Sequence, residues 1–219
     1  DERIYVVAES LRKGIDVEKI HYITKIDTFF LEKIKNIVNV EKALAKDGLT
    51  PDVLRTAKRY SMTDAVIARY ANTTVDEVLK MREQNNLFPT YKYVDTCAAE
   101  FEAHTPYYYS AYAQEDEVVP RGENSVVVLG SGPIRIGQGV EFDHFSLHFS
   151  LALRKAGMQS IIINNNPETV STDFDTSDSL YFEPLTVEDV MEIIRKEKPV
   201  GVIAQFGGQT AINLAGPLA

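Results

Sequence analysis

The most informative stretch of the chain is Ser125-Val126-Val127-Val128-Leu129-Gly130-Ser131-Gly132-Pro133-Ile134-Arg135-Ile136-Gly137-Gln138-Gly139. Residues 125–129 form a largely apolar run, which predicts a strand covered on both faces of a parallel sheet. A glycine-rich loop follows, and helical periodicity then extends over residues 140–155. The stretch therefore predicts a strand–loop–helix unit whose loop can bring backbone N–H groups close to an anion.

Further strands are predicted at residues 160–164, 179–183 and 200–205, and they alternate with helices. Thr186 and Asp189 form a capping pair for the helix that reaches residue 198. Alternating strands and helices indicate a parallel sheet with crossover connections. Residues 124–219 are therefore predicted to form a Rossmann-like α/β domain.

The glycine loop departs from two nucleotide-binding fingerprints. Arg135 stands where a dinucleotide-binding loop has its third glycine. Asn164-Asn165-Asn166 ends the second strand, where such a site needs an acid to bind the ribose. No Gly-Lys-Ser/Thr follows the loop, so a P-loop is excluded as well.

Three polar or glycine-rich loops follow predicted strands and should converge at one edge of the sheet. Residues 164–178 are rich in carboxylates and hydroxyls, and they form either a ligand-binding loop or a solvated loop that caps itself. Both readings stay open on the residues alone. The candidates for an anion-binding loop are Gly130, Gly132, Gly137, Gly208, Gln209 and Thr210.

Residues 1 to about 87 have helical periodicity with clear caps. Asp27, Thr50 and Ser61 are predicted to begin helices, and Thr73 or Thr74 with Glu77 another. The inward positions are predicted to include Ile4, Val7, Ala8 and Leu11 in the first helix, and Phe30, Ile34, Ile37, Val38 and Leu44 in the longest.

Residues 88–113 carry Pro89, Pro106 and six tyrosines. Packing of these rings against the next domain is favoured over a nucleic-acid stacking platform. Residues 114–122 read as an exposed linker. The helical domain is therefore predicted to cover residues 1–120.

The net charge is −9, and acidic residues exceed basic ones in both parts, so nucleic acid is not an expected partner. The single cysteine, Cys97, favours a reducing compartment. No apolar run is long enough for a membrane span. We expect a cytoplasmic protein, with an organelle as the alternative, and we expect both ends to be cut from a longer polypeptide.

Two further features carry weaker signals. His144 and His148 are four residues apart on a predicted helix, which suits helix packing better than a metal site with only two ligands. Cys97 has no companion thiol and is interpreted as a small packed side chain rather than a nucleophile.

Several motifs resemble the large chain of carbamoyl-phosphate synthase. They are the glycine loop with Glu141-Phe142-Asp143, then Asn166-Pro167-Glu168-Thr169-Val170-Ser171-Thr172-Asp173, Tyr181-Phe182-Glu183-Pro184 and Gly207-Gly208-Gln209-Thr210. Upstream, Val94-Asp95-Thr96-Cys97-Ala98-Ala99-Glu100-Phe101 is similar to the same family. The resemblance covers essentially the whole chain.

The resemblance implies that residues 1–120 are an oligomerisation domain and residues 124–219 a truncated pre-ATP-grasp domain. The parent would be an ATP-dependent carbon–nitrogen ligase for arginine and pyrimidine synthesis, using Mg²⁺ or Mn²⁺ and K⁺. Its expected partners are the rest of the large chain, a glutamine amidotransferase subunit or domain, and further copies of itself. No bound cofactor is expected in this segment.

By the same resemblance, Gly139 and Glu168 would line a carbamate tunnel, and no catalytic or metal-binding residue is assigned. Two alternatives stay open. One is an assembly module without a catalytic role, and the other is a different ATP-grasp ligase, such as a biotin-carboxylase-like enzyme, which would lack the preceding helical domain.

Overall fold

A computed structural model describes residues 2–103, 105–133 and 139–219. The chain divides into two compact units, Asp1–Phe88 and Pro89–Ala219. In the described parts of the first unit the elements are helices: α1 (Arg3–Arg12), α2 (Val17–Thr24), α3 (Thr28–Asp47), α4 (Pro51–Arg59), α5 (Asp64–Tyr70) and α6 (Val75–Gln84).

Side-chain caps begin four of these helices. Asp27 accepts a hydrogen bond from the Phe29 N–H, and Thr50 accepts one from the Val53 N–H. Thr74 and Glu77 form a reciprocal capping box at α6. At α5 the cap is Thr63 and not the predicted Ser61, because Ser61 lies in the left-handed region with φ of 57°.

Helix α3 packs on two separate hydrophobic clusters. Leu31 and Val38 join α1 and α2, whereas Val40 and Leu44 join α4 to α6. Phe30 and Ile37 were predicted to point inward, but they are 59% and 40% exposed. Phe30, Ile37 and Leu44 are spaced seven residues apart and so lie on one stripe of the helix, but of the three only Leu44 is covered, by α4 to α6. Ile4, also predicted inward, is 58% exposed.

The second unit contains a sheet whose described strands are β1 (Thr90–Tyr93), β2 (Tyr107–Ala111), β3 (Ser125–Leu129), β4 (Gln159–Asn164), β5 (Ser179–Phe182) and β6 (Gly201–Ile203). They lie in the order β1-β2-β5-β4-β3-β6. Only the β1–β2 pair is antiparallel among the strands described. The other helices are α7 (Glu141–Lys155), α8 (Val187–Glu197) and α9 (Gly208–Leu218).

Helices cover both faces of this sheet. On one face Val127, Ile161 and Ile163 pack with α8 and α9, and on the other Val128 and Ile162 pack with α7. This burial explains why β3 and β4 are nearly continuous apolar runs. The prediction of a helical domain followed by an α/β domain with a parallel sheet is confirmed.

The two compact units divide between Phe88 and Pro89, whereas the helical domain is predicted to reach residue 120. Strand β2 pairs in parallel with β5, and the Tyr91 ring packs edge-on against Tyr181 with centroids 5.0 Å apart. The segment read as an exposed linker also packs here, because Val118 is buried and Arg121 donates to Ser179 Oγ and the Asp178 carbonyl. Residues 89–103 and 105–121 thus lie within the α/β unit.

In the parts of the chain that the structure describes, none of the helices is both long and apolar enough to span a bilayer.

Candidate functional site at the carboxyl edge of the sheet

The ends of β3, β4 and β6 meet at one edge of the sheet. The chain passes from β3 to β4 on one side and later returns to place β6 on the other side of β3. Loops that leave a strand order reversal of this kind diverge and form a crevice, where open α/β sheets bind ligands. The strand order therefore brings the three loops to one edge of the sheet, as predicted.

Asn164 fills the space beside the glycine loop. A Cβ atom at Gly130 would lie 2.5 Å from Cγ of Asn164. The Asn164 side-chain oxygen accepts hydrogen bonds from the N–H groups of Gly132 and Asn165, at 3.0 and 2.9 Å. Asn164 is fully buried, and its Nδ2 atom has no hydrogen-bond partner among the described residues. The end of β4 is thus fixed to the start of the loop after β3.

Gly207 and Gly208 bring the third loop into the same place. A Cβ at Gly207 would overlap the carbonyl oxygen of Gly130, so only glycine allows this approach. Gly208 has φ of +59° and lies under the ring of Phe142, which would be 3.3 Å from an added Cβ. The glycines therefore permit close backbone packing at the strand ends.

Two backbone N–H groups of the predicted anion-binding loop already have hydrogen-bond partners. The N–H of Gly130 donates to the Ile163 carbonyl at 2.9 Å, and that of Gly132 donates to Asn164. Neither group is free to bind an anion. Gln209 donates from its side chain to Asn213, while its backbone and that of Thr210 belong to the first turn of α9. Gly137 lies outside the described residues. An anion site at Gly208, Gln209 and Thr210 stays a prediction.

The long polar loop after β4 is folded rather than merely solvated. Ser171, Thr172, Thr176 and Ser177 are all at most 4% exposed. Within the loop, Thr172 Oγ1 donates to the carbonyls of Asn166 and Thr169, and Thr176 Oγ1 donates to that of Val170. Residues Val170–Thr172 form a single turn of 3₁₀ helix.

Asp143 joins this loop to the first turn of α7. Its carboxylate is 1% exposed and accepts hydrogen bonds from the N–H and Oγ of Ser171 and from Oγ1 of Thr169. The sequence signalled an acid in the first turn of a helix, but not its partners 26 and 28 residues away. This contact was not predicted.

The two predicted tunnel residues lie on either side of that joint. Gly139 is exposed and comes two residues before α7, whereas Glu168 is exposed and comes directly before Thr169. Among the described residues, the atoms nearest to an added Cβ at Gly139 belong to the carboxylate of Glu141, the end of a flexible side chain. Within the part of the chain that the structure describes, these nearest contacts do not by themselves require glycine at residue 139.

A second acidic residue that was not assigned a role lies at the end of β5. Glu183 is 5% exposed, and its carboxylate accepts a hydrogen bond from the Ser110 N–H. Burial raises the pKa of Glu183, the contacts with Ser110 oppose that effect, and the nearby charge of Asp189 adds to it. Sequence periodicity does not indicate that an acid at the carboxyl edge of the sheet is buried.

The weaker sequence signals have ordinary structural explanations. His144 and His148 are exposed, with their Nε2 atoms 2.9 Å apart, as expected for a mutual hydrogen bond. Cys97 is half-buried in a turn, and its backbone N–H donates a hydrogen bond to the Asp95 carboxylate. Across residues 2–103, 105–133 and 139–219, no three His, Cys, Asp or Glu side chains are grouped to hold a metal ion.

Comparison with protein families adds two matches that describe parts of one enzyme. A family model described as the carbamoyl-phosphate synthetase large chain, oligomerisation domain, matches residues 1–86. A second, described as the carbamoyl phosphate synthase preATP-grasp domain, matches residues 122–219. The chain belongs to the carbamoyl-phosphate synthetase large-chain family. The resemblance predicted from the motifs is confirmed.

The two matches in this carbamoyl-phosphate synthetase chain fall in different structural units. The oligomerisation match ends within two residues of the boundary at Phe88, and the preATP-grasp match lies wholly in the α/β unit. Strands β1 and β2 lie in the unmatched interval between them. The oligomerisation match disfavours a biotin-carboxylase-like enzyme, which would lack that helical domain.

Proposed function

We propose that this chain is the junction of a carbamoyl-phosphate synthetase large chain and forms part of the carbamate route into the second synthetase half. The observation that carries the proposal is the order of the two matched segments, oligomerisation domain first and preATP-grasp domain second. A preATP-grasp domain after the oligomerisation domain begins a second synthetase half.

The reaction proposed for the parent has three steps. Bicarbonate attacks the γ-phosphate of ATP and gives carboxyphosphate and ADP. Ammonia, released from glutamine by an amidotransferase, displaces inorganic phosphate and gives carbamate. Carbamate then attacks a second ATP and gives carbamoyl phosphate and a second ADP. Arginine and pyrimidine synthesis would use the product.

The described residues support a passive role in this sequence. Carbamate decomposes in water, so its path between two sites has to exclude solvent. The nearest described contact of an added Cβ at Gly139 is the flexible Glu141 carboxylate, and a tunnel wall would favour glycine there because any side chain would narrow the bore. Glu168 sits on a loop that is internally hydrogen-bonded and anchored to α7, which suits a fixed wall.

ATP, Mg²⁺ or Mn²⁺ and K⁺ are proposed for the parent enzyme, not for this segment. Bound metal would neutralise charge on the transferring phosphoryl group. Because the described residues offer no grouping of metal ligands, we assign no metal ligand to this segment. The cytoplasm is the proposed location.

The proposal is tested on the full-length large chain with ATP, bicarbonate, ammonia and Mg²⁺. We expect two ADP for each carbamoyl phosphate. Gly139→Phe should leave bicarbonate-dependent ATP hydrolysis intact and lower carbamoyl phosphate output, while Gly139→Ala should have a much smaller effect. Equal loss of both activities in Gly139→Phe would argue against the tunnel role.

A second function, self-association, is proposed for the helical unit. Phe30 and Ile37 lie on one side of α3 and remain exposed, and Tyr22, Ile23 and Phe29 nearby in sequence are 59–75% exposed. The unit matches an oligomerisation domain. We propose that a second copy of the chain covers the apolar surface formed by Phe30 and Ile37.

A further inference from the structure

We propose that Asp143 is a positioning residue, which holds the loop carrying Glu168 against the start of α7 and so keeps the carbamate route closed. This inference rests on the proposed function, because it assigns Asp143 a task only if Gly139 and Glu168 form that route. Asp143 itself is not placed in contact with carbamate.

The contacts of Asp143 are directed at one short part of the loop. Oδ2 accepts from the Ser171 N–H at 3.0 Å and from Thr169 Oγ1 at 2.5 Å, while Oδ1 accepts from Ser171 Oγ. Thr169 is the residue directly after Glu168. Asp143 is also only four residues after Gly139, so one carboxylate connects the segments that carry both tunnel candidates.

A second anchor of the same loop provides a comparison. Arg154, near the other end of α7, donates from Nη2 to the carbonyls of Asp175 and Thr176 at 2.8 and 3.3 Å. This anchor fixes the part of the loop that leads into β5, seven and eight residues beyond Glu168. Loss of Arg154 should loosen the loop there and leave Glu168 in place.

The carboxylate is chemically specific for its partners. Three donor groups point at its two oxygens, and a carboxylate is an acceptor at both. In Asp143→Asn an NH₂ group replaces one carboxylate oxygen. An NH₂ group donates hydrogen bonds and cannot accept those that Thr169 and Ser171 direct at that position. Because the site is buried, water cannot replace the lost bonds without entering the loop. The side chain keeps its volume, so the change is electrostatic.

The test measures ADP formed per carbamoyl phosphate in the full-length large chain carrying Asp143→Asn. A partly unfolded enzyme loses both products together and keeps the ratio at two. Leakage of carbamate removes carbamoyl phosphate and the second ADP but leaves the ADP of bicarbonate phosphorylation, so we expect the ratio to rise at least threefold, with bicarbonate-dependent ADP formation within twofold of wild type. Arg154→Met should keep the ratio near two.

A ratio that stays at two in Asp143→Asn would overturn the inference, and so would an equal rise in Arg154→Met. If Asp143→Asn fails to fold, Thr169→Val and Ser171→Ala remove its donors singly. Each should raise the ratio, and unchanged ratios in both would overturn the inference. Absence of carbamoyl phosphate with the wild-type chain would instead overturn the proposed function and this inference with it.

Discussion

The carboxamide of Asn164 occupies the space that a side chain at Gly130 would need, with 2.5 Å between its Cγ atom and an added Cβ. The same carboxamide accepts the Gly132 N–H, so it both excludes a side chain and fixes the loop. Glycine at residue 130 is therefore required by a neighbour, because its own φ is not in the left-handed region.

Gly130→Ala should destabilise the α/β unit by about 1–3 kcal/mol, because the new methyl group overlaps a fully buried side chain. The cost should shrink when Asn164 is also replaced by glycine, which clears the space. Urea unfolding followed by circular dichroism on wild type, both single variants and the double variant gives the coupling energy. Additive effects would show that the two residues do not compete.

Glu183 should make stability depend on pH in an unusual direction for an acid. Burial raises the folded-state pKa of Glu183 above the ordinary value of a glutamate, so the folded state holds its proton to higher pH than the unfolded chain. Its contribution is present below the unfolded pKa and is lost as pH rises through the folded pKa.

Glu183→Gln should therefore gain stability relative to wild type as pH increases from about 4 to 7. The measurement is the free energy of unfolding of both proteins across that range. Glu123→Gln, at an exposed acid in the same unit, is the control and should run parallel to wild type. A difference between Glu183→Gln and wild type that is flat with pH would contradict the shift.

Asp64 should contribute strongly to the stability of the helical unit. Its two oxygens lie 2.6 Å from Lys58 Nζ and from Arg82 Nη1, and all three side chains are buried. Asp64→Ala leaves two buried cations without that carboxylate and should cost about 3–5 kcal/mol. Thermal unfolding measures the loss, and Asp52→Ala, which breaks only the exposed pair with Arg55, should change little.

The exposed side chains of Phe30 and Ile37 on α3 should control self-association. Phe30→Asp with Ile37→Asp is expected to raise the dissociation constant of the self-associated chain at least tenfold, since charges replace an apolar contact. Sedimentation equilibrium over a range of concentrations measures it. Val200→Asp replaces an exposed apolar residue of the α/β unit and is the control. A wild-type chain that stays monomeric at every concentration would contradict the proposal.

Much of the fold could be predicted because its signals are local. The apolar runs of β3 and β4 and the caps at Asp27, Thr50 and Thr74 were identified from neighbouring residues alone. Phe30 and Ile37 were misplaced because periodicity gives a helix one buried face along its whole length, whereas their stripe on α3 is covered only further along, at Leu44, where α4 to α6 pack.

The candidate site was predictable only as a location. Parallel topology brings the loops after β3, β4 and β6 to one edge, and that follows from strand order. The contacts that organise the edge join residues distant in sequence, such as Asn164 with Gly132 and Asp143 with Ser171. Periodicity and spacing carry no information about such pairings, so Asp143 and Glu183 were not assigned roles.

Strands β1 and β2 have a consequence for any attempt to isolate the preATP-grasp domain. A piece beginning at residue 122, where the family match starts, would lack both strands. Strand β5, which pairs with β2 in the whole chain, would become an exposed edge strand. Tyr181 would lose its contacts with the rings of Tyr91 and Tyr108. Exposed edge strands pair with strands of other molecules. A piece beginning at residue 122 should therefore aggregate, whereas one beginning at Pro89 should not.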